Sequence, residues 1–147
     1  MEIKVEGLDK LLKKLDLLGG NVQKSTQKAL FCAGSVIEQG AKMLCSVNTG
    51  QLRESIHTES RDSNSISVVT NCEYAVYVEY GTGPKGDPSV PHTTKEFWRY
   101  QDAGGQWHTS HGQSPQPFMR TAFAEGKDEA VEAVKESIQE DIKELMQ

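Results

Sequence analysis

The side chains of this 147-residue chain best suited to chemistry are the histidines and acids of its second half. His92, His108 and His111, with Glu79 or Asp87, offer the imidazole and carboxylate groups that bind zinc. His108 and His111 are three residues apart, a spacing that places two imidazole rings close together only on a helix. The surrounding glycines disfavour a helix there. We therefore expect solvated loop histidines, with no metal and no cofactor, and keep a metal-dependent hydrolase as an alternative.

Two further patterns resemble catalytic or ligand-binding motifs. Cys72 and His57 could meet across neighbouring strands as a nucleophile and its base, but no nucleophile elbow or orienting third group accompanies them. Residues 81–86 are rich in glycine like a phosphate-binding loop, yet they lack the Gly-Lys-Ser/Thr ending, and Pro84 removes a backbone donor. We expect a surface turn at residues 81–86 and no enzymatic activity, with a thiol-dependent hydrolase as the alternative.

Glu79 lies in the tyrosine-rich sequence Tyr-Ala-Val-Tyr-Val-Glu-Tyr at residues 74–80. A carboxylate in such a partly apolar setting needs hydrogen-bond or ionic partners. Arg120 or Arg53 could supply them, and the sequence favours a structural ion pair over general-base catalysis.

Composition excludes several classes of protein. The formal net charge is -5, residues 125–147 contain eight acidic and three basic side chains, and no segment is densely basic, as a phosphate-contacting nucleic-acid binder would be. The cysteines Cys32, Cys45 and Cys72 are odd in number and far apart, which favours buried reduced thiols. No cationic and apolar leader or membrane-length apolar run is visible, so we expect a soluble protein made in a cytoplasm, without membrane contact.

Helical periodicity dominates the first third of the chain. Residues 1–6 alternate like a short edge strand, leucines at helical spacing predict a helix over residues 8–18, and Asn21 is a candidate cap for a second helix to about Ser46. Asn48, Thr49 and Gly50 predict a turn, after which residues 51–55 lead into extended chain.

The middle of the chain predicts a hairpin and a long insert. Residues 55–61 and 66–71 flank a polar turn and form the hairpin, whereas residues 74–80 fit either a strand or, slightly better, a short helix. The insert, residues 81–116, contains a second hairpin signature that includes Trp98, Tyr100 and Trp107. These aromatic side chains could form a contact surface or fold back onto the domain's own core, and the sequence leaves both open.

After the insert, Pro117 suits the first turn of a final helix over residues 118–146, whose apolar stripe is narrow. Together these elements predict a single α+β domain over residues 1–147. It has N-terminal helices, a small antiparallel sheet with a long inserted loop or hairpin at residues 81–116, and a C-terminal helix packed on the sheet.

Two blocks that flank the insert carry a family resemblance. The sequence Tyr-Ala-Val-Tyr-Val-Glu-Tyr-Gly-Thr-Gly at residues 74–83, the dipeptide at residues 112–113, Pro-Phe-Met-Arg at residues 117–120 and Ala-Phe at residues 122–123 resemble the gene-product-ten-like (HK-type) minor structural proteins of long-tailed bacteriophages. The upstream segment Thr-Gly-Gln-Leu-Arg-Glu-Ser-Ile at residues 49–56 extends the resemblance. Thr121 departs from it, since related chains often have a second proline there, and this affects where the last helix starts.

The resemblance implies a structural virion protein that joins head to tail or completes the tail. It would assemble as a cyclic homo-oligomer against neighbouring neck or tail-tube proteins, in the host cytoplasm, with DNA at most passing through a lumen. A small adaptor that binds one host protein is the other alternative.

We expect the insert to make the contacts and its root to be held rigid. The candidate interaction residues are Tyr74, Tyr77, Glu79, Gly81, Trp98, Tyr100, Trp107, Pro117, Phe118 and Arg120.

Overall fold

The computed structural model describes residues 4–46 and 50–147 and confirms the α+β class. Its helices are α1 (Leu8–Leu17), α2 (Val22–Leu44), α3 (Gln51–Ser55), α4 (Ala75–Tyr80) and α5 (Met119–Leu145), with a 3-10 turn at Gly83–Lys85. Its strands are β1 (Ile56–Asp62), β2 (Ser65–Thr70), β3 (Trp98–Gln101) and β4 (Trp107–Ser110). The strands form two separate antiparallel hairpins, β1–β2 and β3–β4.

The long helices α2 and α5 pack along each other and form the body of the molecule. Small residues on their facing sides allow this close approach, and a Cβ placed on Gly40 would lie 3.5 Å from the Cβ of Ala122. One core cluster, around Leu15, Val134 and Ile138, joins α1 to this pair. Asn21 caps α2 as predicted, because its side chain accepts a hydrogen bond from the Lys24 N–H at 3.1 Å.

The first hairpin lies across α2. At Gly34 the helix has no side chain, and an added Cβ would come within 2.5 Å of both Ile66 Cδ1 and Thr58 Cγ2. Ile56, at the start of β1, is 1 % exposed and shares the second core cluster with Phe118 and Ala122 at the start of α5. The C-terminal helix therefore packs against both α2 and the sheet side of the core.

Three local predictions need correction or fall outside the described residues. Residues 51–55 form the short helix α3 instead of extended chain, because Gly50 adopts a left-handed φ of 80° and a helical turn buries Leu52. The edge strand predicted at residues 1–6 is absent from residues 4–6, and residues 1–3 lie outside the described part, as do Asn48 and Thr49 of the predicted turn. Cys45 and Cys72 are buried as expected, but Cys32 is exposed because it lies on the outer face of α2.

The remaining helices and hairpins are confirmed, but α5 begins at Met119, so Pro117 precedes the cap residue Phe118 and does not lie in the first turn. Residues 75–80 form a helix, the preferred of the two readings, and the insert contains the hairpin that its aromatic sequence predicted. Within the described residues, none of the helices is long and apolar enough to cross a membrane.

Candidate functional site at the root of the insert

Glu79 is the centre of the contacts that join the two ends of the insert. It lies near the end of α4, is 5 % exposed, and each of its carboxylate oxygens accepts two hydrogen bonds. Oε2 accepts from the backbone N–H groups of Phe118 and Met119, both at 2.9 Å. Oε1 accepts from the backbone N–H of Arg120 at 3.0 Å and from its Nε at 2.9 Å.

These backbone donors are the first N–H groups of α5. A helix leaves its first N–H groups without internal partners, and Phe118, the residue at the cap position, provides no side-chain acceptor. The Glu79 carboxylate takes the place of a local cap, and its negative charge also suits the positive end of the helix dipole. A residue 39 positions earlier in the chain thus fixes the start of the last helix.

Arg120 completes the pair. Its Nη1 donates to Asp87 Oδ2 at 3.0 Å, its Nη2 donates to the Glu79 carbonyl at 3.1 Å, and its guanidinium lies 4.5 Å from the centre of the Tyr80 ring. The predicted ion pair between Glu79 and an arginine is confirmed. Arg53, the other candidate partner, instead donates to the Lys42 carbonyl at the end of α2.

Asp87 connects the insert itself to this cluster. Hydrogen bonds from the Ser89 hydroxyl and backbone N–H, and then from Arg120, lower the pKa of Asp87 to about 2. The same two carboxylates, Glu79 and Asp87, raise the pKa of Arg120. Asp87 and Arg120 therefore both stay charged at neutral pH.

Backbone contacts also hold the two ends of the insert together. Thr82 and Gln113 exchange N–H to O=C bonds at 2.9 and 3.1 Å, and the Gln116 N–H donates to the Val78 carbonyl at 2.8 Å. Gly81 has a φ of 73°, and a Cβ at this position would lie 2.5 Å from the Gln113 carbonyl oxygen. Glycine is therefore required where the insert leaves α4.

The hairpin of the insert, β3–β4 with its turn, is called the arm below. Trp98 at its base lies against Gly83, where an added Cβ would be 2.8 Å from the indole ring. Trp107 is 57 % exposed, with the Arg99 guanidinium 5.3 Å from its ring centre, and Tyr100 stacks on His108 at 5.3 Å. Trp98 therefore packs on the root of the insert and Trp107 faces solvent, and neither belongs to a core cluster of the described residues.

The remaining candidate interaction residues include both buried and exposed side chains. Phe118 is 1 % exposed and belongs to the core, directly after Pro117. Tyr74 and Tyr77 place their side chains outward, and Tyr77 contributes its carbonyl, which accepts from Gln113 Nε2 at 2.8 Å.

Thr82 and Gln113 lie in blocks that carry the family resemblance but were not among the candidate interaction residues, and Asp87 was considered only as a metal ligand. The sequence did not show that Thr82 and Gln113 contact each other, because this contact depends on the pairing of distant segments. For Asp87 the signal was the Pro-Ser dipeptide that follows it. This sequence is typical of an aspartate whose side chain accepts a hydrogen bond from the backbone N–H two residues later.

The residues considered for catalysis make other contacts or are buried in the core. His57 contacts the Ser55 carbonyl at 2.8 Å and Glu59 at 3.3 Å, while Cys72 is buried in the core. His108 contacts Asp102 at 2.7 Å across the arm, and His92 contacts the Val90 carbonyl. Among the described residues, no group of three His, Cys, Asp or Glu side chains is arranged to hold a metal ion. The cluster at Glu79 is built to hold two chain segments together.

Comparison with known proteins finds a family match for the first half of the chain. Residues 9–81, just under half of the chain, match the model of the HK97-gp10-like family, described as "Bacteriophage HK97-gp10, putative tail-component". No curated protein and no solved structure matches the chain. The family match spans α1 to α4 and ends at Gly81, where the insert begins, and it indicates a structural component of a phage tail that contacts other phage structural proteins. The resemblance seen in the sequence is therefore confirmed over residues 9–81, which are similar to the HK97-gp10-like family, described as a bacteriophage tail component.

Proposed function

We propose that this protein joins head to tail, or completes the tail, by assembling as a ring of identical subunits in the virion. The family match supports a tail component, and the ring and the neck position go beyond it. The chain would act through contacts between proteins and would catalyse no reaction. Assembly would take place in the cytoplasm of the host.

One observation carries the proposal, namely the contrast between a fixed root and an exposed arm. The root is held by four hydrogen bonds to Glu79 and by the Arg120 contacts, whereas Trp107 on the arm remains 57 % exposed. Exposed aromatic side chains on a protruding hairpin are typical of protein–protein contacts, because tryptophan, tyrosine and arginine dominate binding energy at interfaces. A rigid root lets the arm meet a partner in a defined direction.

The charge of the molecule is consistent with a ring around DNA. The chain has a net charge of -5, and most side chains on the outer face of α5 are acidic. Such a surface would repel a passing phosphate backbone, so DNA could move through a lumen without binding.

Electron microscopy of the purified protein, together with its particle mass in solution, tests the proposal. Ring-shaped particles, or density for this chain at the neck or tail end of virions, would support it. Virions that lack the chain at both places would refute it.

Limited proteolysis tests the role of the arm. In isolated subunits we expect the first cuts within residues 81–116 and protection of those sites after assembly. Equal resistance of the insert and the long helices in the free subunit, or unchanged cutting after assembly, would argue against an exposed insert that makes the contacts.

A further inference from the structure

The body of the protein has an open groove beside the first hairpin. The groove has a volume of about 1240 Å³, and its floor consists of apolar side chains from α2 and α5, including Leu30, Ile37 and Phe123. The β2 strand forms one wall, and Val76 and Tyr80 of α4 line one end. Among the residues that line it, none belongs to the arm, so the arm of the same chain leaves the groove open.

Within residues 4–46 and 50–147, strand β2 has no strand paired with its outer edge. In the described residues its hydrogen-bonded neighbour is β1, and no backbone bond joins its other edge to another element. Two-stranded sheets are marginal in water, and a free edge is a template for a further strand. A third strand beside β2 would satisfy this edge and cover the apolar floor.

The arm has the complementary features. Strand β3 pairs with β4 along one edge and leaves its other edge without backbone partners in the described residues. Phe97, directly before β3, and Trp107, on β4, are both 57 % exposed and supply apolar surface on one face of the arm. An extended segment that adds to a sheet edge gains affinity from main-chain bonds and specificity from side chains that enter pockets.

Charge favours one orientation of the arm in the groove. Arg61 lies at the turn end of the first hairpin and Glu73 follows β2 at the other end, and both line the groove. With its tip towards Arg61, the arm would place Asp102 near that arginine and Arg99 towards Glu73. In this orientation β3 runs antiparallel to β2, the arrangement with the stronger pairing.

We infer that the arm of one copy docks antiparallel along β2 in the groove of the next copy, which makes a four-stranded sheet across the subunit boundary. This inference rests on the proposed ring function and names its contact surface. Since arm and groove are different surfaces of one chain, the contact is head-to-tail, the type that closes into rings.

The size of the contact indicates why a closed ring is needed. A covered aromatic side chain buries about 150–250 Å². Phe97 and Trp107, which share one face of the arm, are each 57 % exposed, so their exposed aromatic surface amounts to roughly 200 Å². A stable interface buries about 800 Å² per partner. A single contact is therefore weak, and closure of the ring, in which every copy gives one arm and receives another, would stabilise the assembly.

The principal experiment compares two variants at exposed positions by sedimentation equilibrium up to about 1 mM protein. Trp107→Ala removes the main apolar contact of the arm, and Val76→Asp puts a charge at the groove, where Val76 is 52 % exposed. We expect each to weaken self-association by about 30-fold or more, the effect of losing an interface hot spot. Met43→Asp changes a side chain that is 82 % exposed and outside the groove, and it should associate like the wild type.

Mixing the two variants gives the decisive result. Val76→Asp copies keep an intact arm and Trp107→Ala copies keep an intact groove, so an equimolar mixture at about 1 mM should contain more dimer than either variant alone, and these dimers cannot grow further. Wild-type assembly that both variants leave unchanged would overturn this contact while leaving the ring function in place. A wild type that stays monomeric at 1 mM would overturn the contact as well, and the proposed function would then be decided separately by locating the chain in virions.

A charge exchange tests the orientation. Glu73→Arg and Arg99→Glu alone should each weaken association by up to about fivefold, as expected for ion pairs at an interface rim. The two changes in the same chain should restore it. Additive weakening in the double variant would exclude the antiparallel arrangement.

Discussion

The two hairpins of this protein have the same architecture and opposite environments. All six residues of β2 are half-buried, and the hairpin covers Gly34 of α2, whereas β3 and β4 expose Trp107 and Tyr100 to solvent. Both are antiparallel pairs with short turns, so backbone pairing does not distinguish them. The difference shows that burial against a helix makes the first hairpin part of the body and leaves the second available for a partner.

The largest expected difference is in the loss of stability when a core residue of the first hairpin or an aromatic residue of the second is replaced by alanine. Ile56→Ala should lower the free energy of unfolding by about 2–5 kcal/mol, because it leaves a cavity where the side chain is 1 % exposed. Trp107→Ala should change it by less than about 0.5 kcal/mol in the isolated subunit. Urea unfolding of both variants measures the contrast, and a large loss for Trp107→Ala would mean that the arm packs on the body.

The second prediction concerns the root that joins these regions. Glu79→Ala should destabilise the protein by about 3 kcal/mol, because it leaves three helix N–H groups and part of the Arg120 guanidinium without acceptors in a buried place.

Glu79→Gln is the matched control for the root. Its amide oxygen can accept from some of these donors, so the loss of stability should be smaller. Equal losses for the two variants in thermal unfolding would show that charge, and not helix capping, is the main contribution of Glu79.

A third test compares the effect on stability of replacing two glycines of α2 with alanine. Gly34→Ala should destabilise by about 1 kcal/mol or more, since its Cβ would displace Thr58 and Ile66 of the first hairpin. Gly40→Ala adds a Cβ at an ordinary contact distance from Ala122 and should stabilise by about 0.5–1 kcal/mol through better helix propensity. Denaturant midpoints of the two variants should move in opposite directions, and a shift in the same direction would contradict the close contact at Gly34.

The smallest expected effect is the pH dependence of the Asp87 contacts. Because the folded pKa of Asp87 is lowered from 3.8 to about 2, its contribution to stability is complete above pH 3.8 and is lost as the pH falls towards 2. Thermal melts of Asp87→Asn and wild type should therefore differ most near neutral pH and converge near pH 2. A constant difference across this range would assign the effect of Asp87 to something other than its charge.

Local patterns carried the prediction of most elements, because helices and hairpins depend on neighbours in the sequence. The spacing of leucines predicted α1, and Asn21 predicted the start of α2. The Gly-rich turn at residues 102–105 predicted the hairpin of the arm. The prediction failed for residues 51–55, where burial of Leu52 favours one helical turn that five residues are too few to signal. Cys32 was misplaced because the expectation of buried thiols rested on the number and spacing of the cysteines and took no account of the helix face on which each one lies.

The sequence by itself determined the α+β class, the resemblance to a phage tail component and a pairing of Glu79 with an arginine, since each rests on residue type and short-range order. Only the tertiary structure decided that Arg120, not Arg53, is the partner, that Glu79 caps a helix far along the chain, and that Trp98 and Trp107 face different ways. The physical reason is that these contacts join segments more than thirty residues apart, and their choice depends on how α2, α5 and the first hairpin pack together.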